Sequence, residues 1–201
     1  MNRSRPLFGP SALLTPANAL TFTRLVGAPA LAVLTIAIGP TSWLLWAVWT
    51  ALCLSDGLDG YIARRHGTTR SGAFLDPLAD KFLVLGALSA LSAIGAIGVL
   101  PVALIGAREV AMSTFRVTAG RQGISVPARP LAKLKTLAQD LAIAGMFFPP
   151  IGKSHPGAVS IALWVAVALT LVTGVEYFLD AWRDRRRQLD RATRAANPQG
   201  A

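Results

Sequence analysis

The sequence predicts an all-α integral membrane protein with six transmembrane helices and both termini in the cytoplasm. Three observations carry that expectation. Apolar residues make up 53% of the 201-residue chain, at a mean hydropathy of +0.49. They gather in blocks instead of recurring with a soluble-helix period, and a bilayer span needs roughly 20 residues. Positive charge alternates between the gaps: one gap is basic and the next almost uncharged.

The first span runs from Ala19 to Ile38, behind Arg3 and Arg5, with Asn18 placed as a helix cap. The second runs from Trp43 to Ile62 after the uncharged GPTS at 39–42. Trp43, Trp46 and Trp49 crowd its start, as an interfacial aromatic belt would. Arg64, Arg65 and Arg70 then precede the third span, from Gly72 to Ile94. The loop IGAIG leads into the fourth, from Val99 to Ala119. Arg121, Arg129, Lys133 and Lys135 separate it from the fifth and shortest, Leu134 to Phe148. Lys153 is the one charged residue of the next loop, before the sixth span, Ala158 to Leu179. Arg183, Arg185, Arg186, Arg187, Arg191 and Arg194 follow as a juxtamembrane basic helix. The positive-inside rule therefore places both termini and the two basic loops in the cytoplasm.

Residues 1–18 form an N-terminal cytoplasmic or interfacial segment, 19–180 the membrane domain and 181–201 a basic cytoplasmic tail. Three prolines interrupt the first 18 residues, and no cleavable signal peptide is expected there. The net charge of +10 is accounted for by the inner-face loops, so no nucleic-acid partner is expected. Cys53 is the sole cysteine, which excludes an intramolecular disulfide and a cysteine-rich metal site. His66 and His155 stand alone in loops and receive no role.

One stretch does not suit a purely lipid-facing chain. SDGLDGYIARRHGTTRSGAFLDPLADK, residues 55–81, carries Asp56, Asp59, Asp76 and Asp80. Asp56 and Asp59 are three apart on the second span, and Asp76 and Asp80 four apart on the third, so each pair shares a helix face. The polar turn between them is expected to fold span three back against span two, making the faces converge. Ionisable groups inside a span cost about 3 kcal/mol each, and four neighbouring carboxylates repel one another. Two Mg²⁺ or Mn²⁺ ions would balance their −4, since hard cations prefer oxygen ligands. A pair of ions is also the arrangement that stabilises attacking and leaving oxygens in phosphoryl transfer. The competing reading is a network that caps helices and pairs with Arg64, Arg65, Arg70 and Lys81.

The order Asp56-x2-Asp59-Gly60-x2-Ala63-Arg64-x7-Gly72-x3-Asp76-x3-Asp80 resembles the signature of the CDP-alcohol phosphatidyltransferases. Its spacer before Gly72 is seven residues, where eight is common in that family. The resemblance implies six membrane helices in a homodimer, in the cell membrane with the active site facing the cytoplasm. It implies that an alcohol displaces CMP from CDP-diacylglycerol. Asp56, Asp59, Asp76 and Asp80 would ligate two ions, with Asp80 also the general base for the acceptor hydroxyl. Asn18, Thr21, Gly60, Arg64 and Thr69 match positions near the CDP-lipid.

The acceptor is read from AREVAMSTFR and LAKLKTLAQD. Arg108 and Arg116, eight apart, share a face of span four, and Lys133 and Lys135 stand at the mouth of span five. Such cations suit an acceptor phosphate. A neighbouring Arg108–Glu109 pair can equally be structural, with Glu109 positioning an arginine. LDPLADK, REV and KLKTLAQ look most like the branch of the family that uses glycerol 3-phosphate. Inositol phosphate and phosphatidylglycerol stay open as acceptors of the same chemistry. A divalent-cation carrier is the reading from another class, and few polar groups in the outer halves of the spans would serve it.

Overall fold

The computed structural model describes the backbone of residues 16–66, 70–121 and 130–196. Every element in it is a helix: α1 Pro16–Ile38, α2 Trp43–His66, α3 Arg70–Ala93, α4 Val99–Arg121, α5 Pro130–Phe147, α6 Pro149–Gly152 and α7 Pro156–Ala196. The six long helices lie where the six apolar blocks were read, and α6 is a single turn in the loop at 149–157. Glycines end two helices. Gly39 at φ +88° and Gly95 at φ +73° take left-handed conformations that side chains resist, and Gly39 N–H donates to the Thr35 carbonyl at 3.0 Å.

Helix packing closes a ring in the order α1, α3, α4, α7, α5, α2, with α3 also touching α5 across it. The polar turn expected to fold span three back lies at 67–69, outside the described residues. Among the described residues α2 packs along α1 and α5, and α1 packs against both acid-bearing helices. α1 can take a neighbour on both flanks where its side chains are small: a Cβ on Gly27 would fall 2.8 Å from Leu52 Cδ2 on α2, and one on Gly86 of α3 would fall 3.9 Å from the Ala28 carbonyl oxygen.

The core is aliphatic and aromatic: Leu31, Leu45, Trp49, Leu83, Leu88, Ile105, Ile143 and Phe147 are buried. Large apolar side chains also cover the outside, among them Val26, Val33, Leu54, Val110, Leu141, Ile161, Val175 and Phe178. Water rarely tolerates so much apolar surface. Ala19–Ile38 and Pro156–Leu179 are long and apolar enough to cross a bilayer, and Trp43–Leu58 is a shorter apolar stretch. Such surfaces are consistent with a membrane protein. α7, with 41 residues, is about 60 Å long, twice the roughly 30 Å hydrocarbon layer. Its basic second half continues the same helix.

The three weakly charged connections meet at one end, around a cavity of about 430 Å³ lined by Thr41, Ile97, Pro101, Gly152, Leu163 and Trp164 among others. Beside it the tryptophans divide. Trp43 is 58% exposed and meets Trp46 and Phe148 edge-on, as a belt residue would. Trp49 is 1% exposed, packs on Phe147 and donates its indole N–H to the Asp140 carbonyl at 3.3 Å. Six residues beyond Trp43, it has turned into the ring and belongs to the core.

Trp49→Ala should therefore cost about 3–5 kcal/mol of stability, and Trp43→Ala at most about 1.5 kcal/mol. Denaturation in detergent measures both; equal losses would contradict the packing.

Candidate active site

Two residues of α1 hold the acids on either side of it. Thr21 Oγ1 donates to Asp76 Oδ1 on α3 at 2.5 Å, and Arg24 Nη1 donates to Asp56 Oδ1 on α2. Thr21 and Arg24 are three apart, so they sit one above the other on a helix. Arg24 is wholly buried, while the Asp56 side chain is 53% exposed. A buried guanidinium is costly unless a carboxylate meets it, and α2 supplies that carboxylate. Asp80 lies one turn beyond Asp76 on α3. It is half-buried and close enough to Asp56, Arg24 and Lys135 to feel their charges.

Asp56, Asp76 and Asp80 are hard oxygen donors, and that chemistry fits a Mg²⁺ or Mn²⁺ ion and not a structural zinc. Asp56 is near enough to Asp80 for the two carboxylates to repel. Among the described residues no three acidic, histidine or cysteine side chains already form a ligating group. The side chain of Asp59 lies outside the described residues. So do the side chains of Asn18 and Arg64, the surroundings of Gly60, and all of Thr69.

A second polar group joins α3, α4, α5 and α7. Glu109 Oε1 accepts from Arg108 Nη1 at 3.0 Å and also from Lys135 Nζ on α5. Arg108 Nη2 donates to Thr173 Oγ1 on α7 at 3.1 Å. Gly174 makes room for that arginine, since a Cβ there would fall 3.3 Å from Arg108 Cγ. Lys81 Nζ donates to Ser113 Oγ, and Ser113 Oγ donates to the Glu109 carbonyl at 2.6 Å. Gln139 Nε2 donates to Thr170 Oγ1 at 2.8 Å. A crevice of about 10 Å³ lies among Asp80, Lys81, Glu109, Lys135, Thr136 and Gln139. It is about large enough for one water molecule.

Of the four cations read as acceptor ligands, Lys135 lines this crevice, and Arg108 is tied to it through Glu109. Arg116 is exposed, with its guanidinium 5.8 Å from the Tyr177 ring centre. Lys133 is exposed. Arg108 and Arg116 both turn toward α7, in keeping with the face their eight-residue spacing implies. Glu109 serves more than its neighbour: it bridges α4 to α5.

Arg24, Lys81 and Ser113 carry contacts that the sequence reading assigned to no site. Arg24 had a signal, being a lone charge inside a 20-residue apolar block. Lys81 was read only as a pairing partner of the acids; its bond to Ser113, 32 residues away, had no signal in the chain.

Residues 14–172 match the sequence model of a family described as CDP-alcohol phosphatidyltransferase. A Mycobacterium tuberculosis (strain ATCC 25618 / H37Rv) protein named "Probable phosphatidylglycerophosphate synthase" is 36% identical over 173 residues, covering 84% of this chain and 82% of its own. A Bacillus subtilis (strain 168) protein named CDP-diacylglycerol–glycerol-3-phosphate 3-phosphatidyltransferase is 39% identical over 132 residues, 64% of this chain and 68% of its own. A Rickettsia bellii (strain RML369-C) protein of the same name is 34% identical over 166 residues, 80% of this chain and 92% of its own.

The Lys135–Glu109 pair has side chains only 7% and 8% exposed. Glu109→Ala leaves the buried ammonium without its carboxylate and should cost about 3–5 kcal/mol. Arg116→Ala, which removes an exposed cation–π contact, should cost about 1 kcal/mol or less. Melting of the two variants in detergent checks the contrast; a wild-type melt for Glu109→Ala would contradict it.

Proposed function

The chain belongs to the CDP-alcohol phosphatidyltransferase family, and from that membership we propose that it transfers the phosphatidyl group of CDP-diacylglycerol to glycerol 3-phosphate. The products are phosphatidylglycerophosphate and CMP. The glycerol 3-phosphate acceptor is supported by the names of the Bacillus and Rickettsia relatives. One structural observation carries the reading: Asp80 and Lys135 line the same crevice. A carboxylate able to take a proton thus stands beside a cation able to hold a phosphate.

The acceptor hydroxyl gives its proton to the Asp80 carboxylate. Its oxygen forms a bond to the phosphorus bearing the diacylglycerol. The bond from that phosphorus to the oxygen of the CMP phosphate breaks, and CMP leaves with the electron pair. Lys135 and Arg108 hold the acceptor phosphate; Arg116 and Lys133, on exposed surfaces, draw anionic acceptor toward the mouth. Asn18, Thr21, Gly60, Arg64 and Thr69 hold the CDP portion. Asp56, Asp59, Asp76 and Asp80 would hold two divalent ions, Mg²⁺ or Mn²⁺. Such ions, when bound, offset charge on the attacking and leaving oxygens.

In this reading the six long helices cross the cell membrane as residues 19–180, with both termini and the active site on the cytoplasmic side. Residues 1–18 flank the domain, 181–201 form the basic tail beside anionic headgroups, and the protein works as a homodimer. The apolar cavity and the weakly charged loops then lie at the outer end.

Asp80→Asn should abolish turnover while the protein still folds, since it removes a base and a metal ligand together. CMP release from CDP-diacylglycerol measures this, and wild-type kinetics would end the assignment of Asp80. Purified protein given CDP-diacylglycerol with glycerol 3-phosphate, inositol phosphate and phosphatidylglycerol together should yield phosphatidylglycerophosphate by mass. A dominant phosphatidylinositol phosphate or cardiolipin product would overturn the acceptor.

A further inference from the structure

The cations beside Asp80 are not equally committed. Lys135 and Arg108 both bond the same oxygen of Glu109, and Arg108 is tied to Thr173 as well. Among the described residues Lys81 bonds no carboxylate. Its ammonium donates to the Ser113 hydroxyl, a neutral group that itself serves the Glu109 carbonyl. An ammonium carries three N–H donors, and this bond uses one. Lys81 is half-buried and lines the crevice with Asp80, Glu109 and Lys135.

Charge counting points the same way. Lys81, Arg108 and Lys135 give +3 against −2 from Glu109 and Asp80, a surplus of +1 around the crevice. Asp80 stands at its edge and faces the Asp56 and Arg24 charges too. A cation surplus inside an apolar bundle attracts an anion, and a phosphate monoester carries nearly two negative charges near neutral pH. Drawing Lys135 off Glu109 would break a buried ion pair. Turning Lys81 off Ser113 gives up only a hydrogen bond to a neutral hydroxyl, and its four-carbon stem allows the movement.

We propose that Lys81 is a specificity-determining residue whose ammonium turns from Ser113 onto the phosphate of the acceptor alcohol, beside the carboxylate that takes the hydroxyl proton. This rests on the phosphatidyl-transfer reading. It assigns the selection of phosphorylated over neutral alcohols to the residue next to the base.

The test uses purified full-length protein and CDP-diacylglycerol. Lys81→Gln should raise the KM for glycerol 3-phosphate about tenfold or more, the loss of one charge-assisted hydrogen bond. The KM for CDP-diacylglycerol should hold, and Lys81→Arg should recover part of the acceptor affinity. Inorganic phosphate should compete with glycerol 3-phosphate in the wild type, and more weakly in Lys81→Gln. Equal rises in both KM values, or unchanged phosphate inhibition, would overturn the role. Wild-type protein that releases no CMP would instead refute the transfer reading. Acetylation of wild-type protein then decides on Lys81 alone, and it also serves if a variant does not fold. Inorganic phosphate should shield Lys81 from acetic anhydride in peptide mass spectra, and unchanged labelling would count against the proposal.

Discussion

A wholly buried guanidinium governs how this bundle can be assembled. Arg24 sits in the middle of α1, in a helix otherwise apolar enough to cross a bilayer. Lipid offers it no partner, so the helices around it must. The Asp56 carboxylate on α2 answers it, while Thr21, one turn earlier on α1, bonds Asp76 on α3. α1 thereby becomes the element that spaces and aims the two acid-bearing helices. Apolar packing holds the ring together, but it is non-directional. These polar bonds select a rotation of α2 and α3 that points acids at α1 instead of at lipid.

Glu109 organises the other half of the site in the same way. Its one oxygen draws Arg108 and Lys135 together, joining α4 to α5, and Thr173 carries the link on to α7. Ser113 extends it back to α3 through Lys81. Four of the six long helices are therefore tied by one connected polar group that borders Asp80. The carboxylates flank α1, the cations gather between α4 and α5, and the crevice lies where the two meet. Phosphoryl transfer needs both kinds of group, because anionic oxygens must be held while a proton is removed.

The opposite end has a different character. Its turns are short and weakly charged, and its cavity is lined mainly by apolar groups. Trp43 meets Phe148 edge-on there and Trp46 meets it at a tilt, while Trp49 continues into the core. The polar chemistry is thus confined to one side of the bundle. That asymmetry agrees with the alternation of charge between loops along the chain.

The sequence by itself determined the helical class, the positions of six long helices, the four acids and their membership of one motif. Those features are local: block hydropathy, loop charge and residue spacing all lie within a few turns of chain. It also marked Arg108 and Arg116 as sharing a face, and both turn to α7. Tertiary structure alone decided that α1 packs on both acid helices, that Arg24 meets Asp56, that Trp49 is core and that Lys81 reaches Ser113. Each of these depends on which helix lies beside which and at what rotation. An isolated apolar helix in lipid carries no preference for either, so the answer comes from buried charges finding partners tens of residues away.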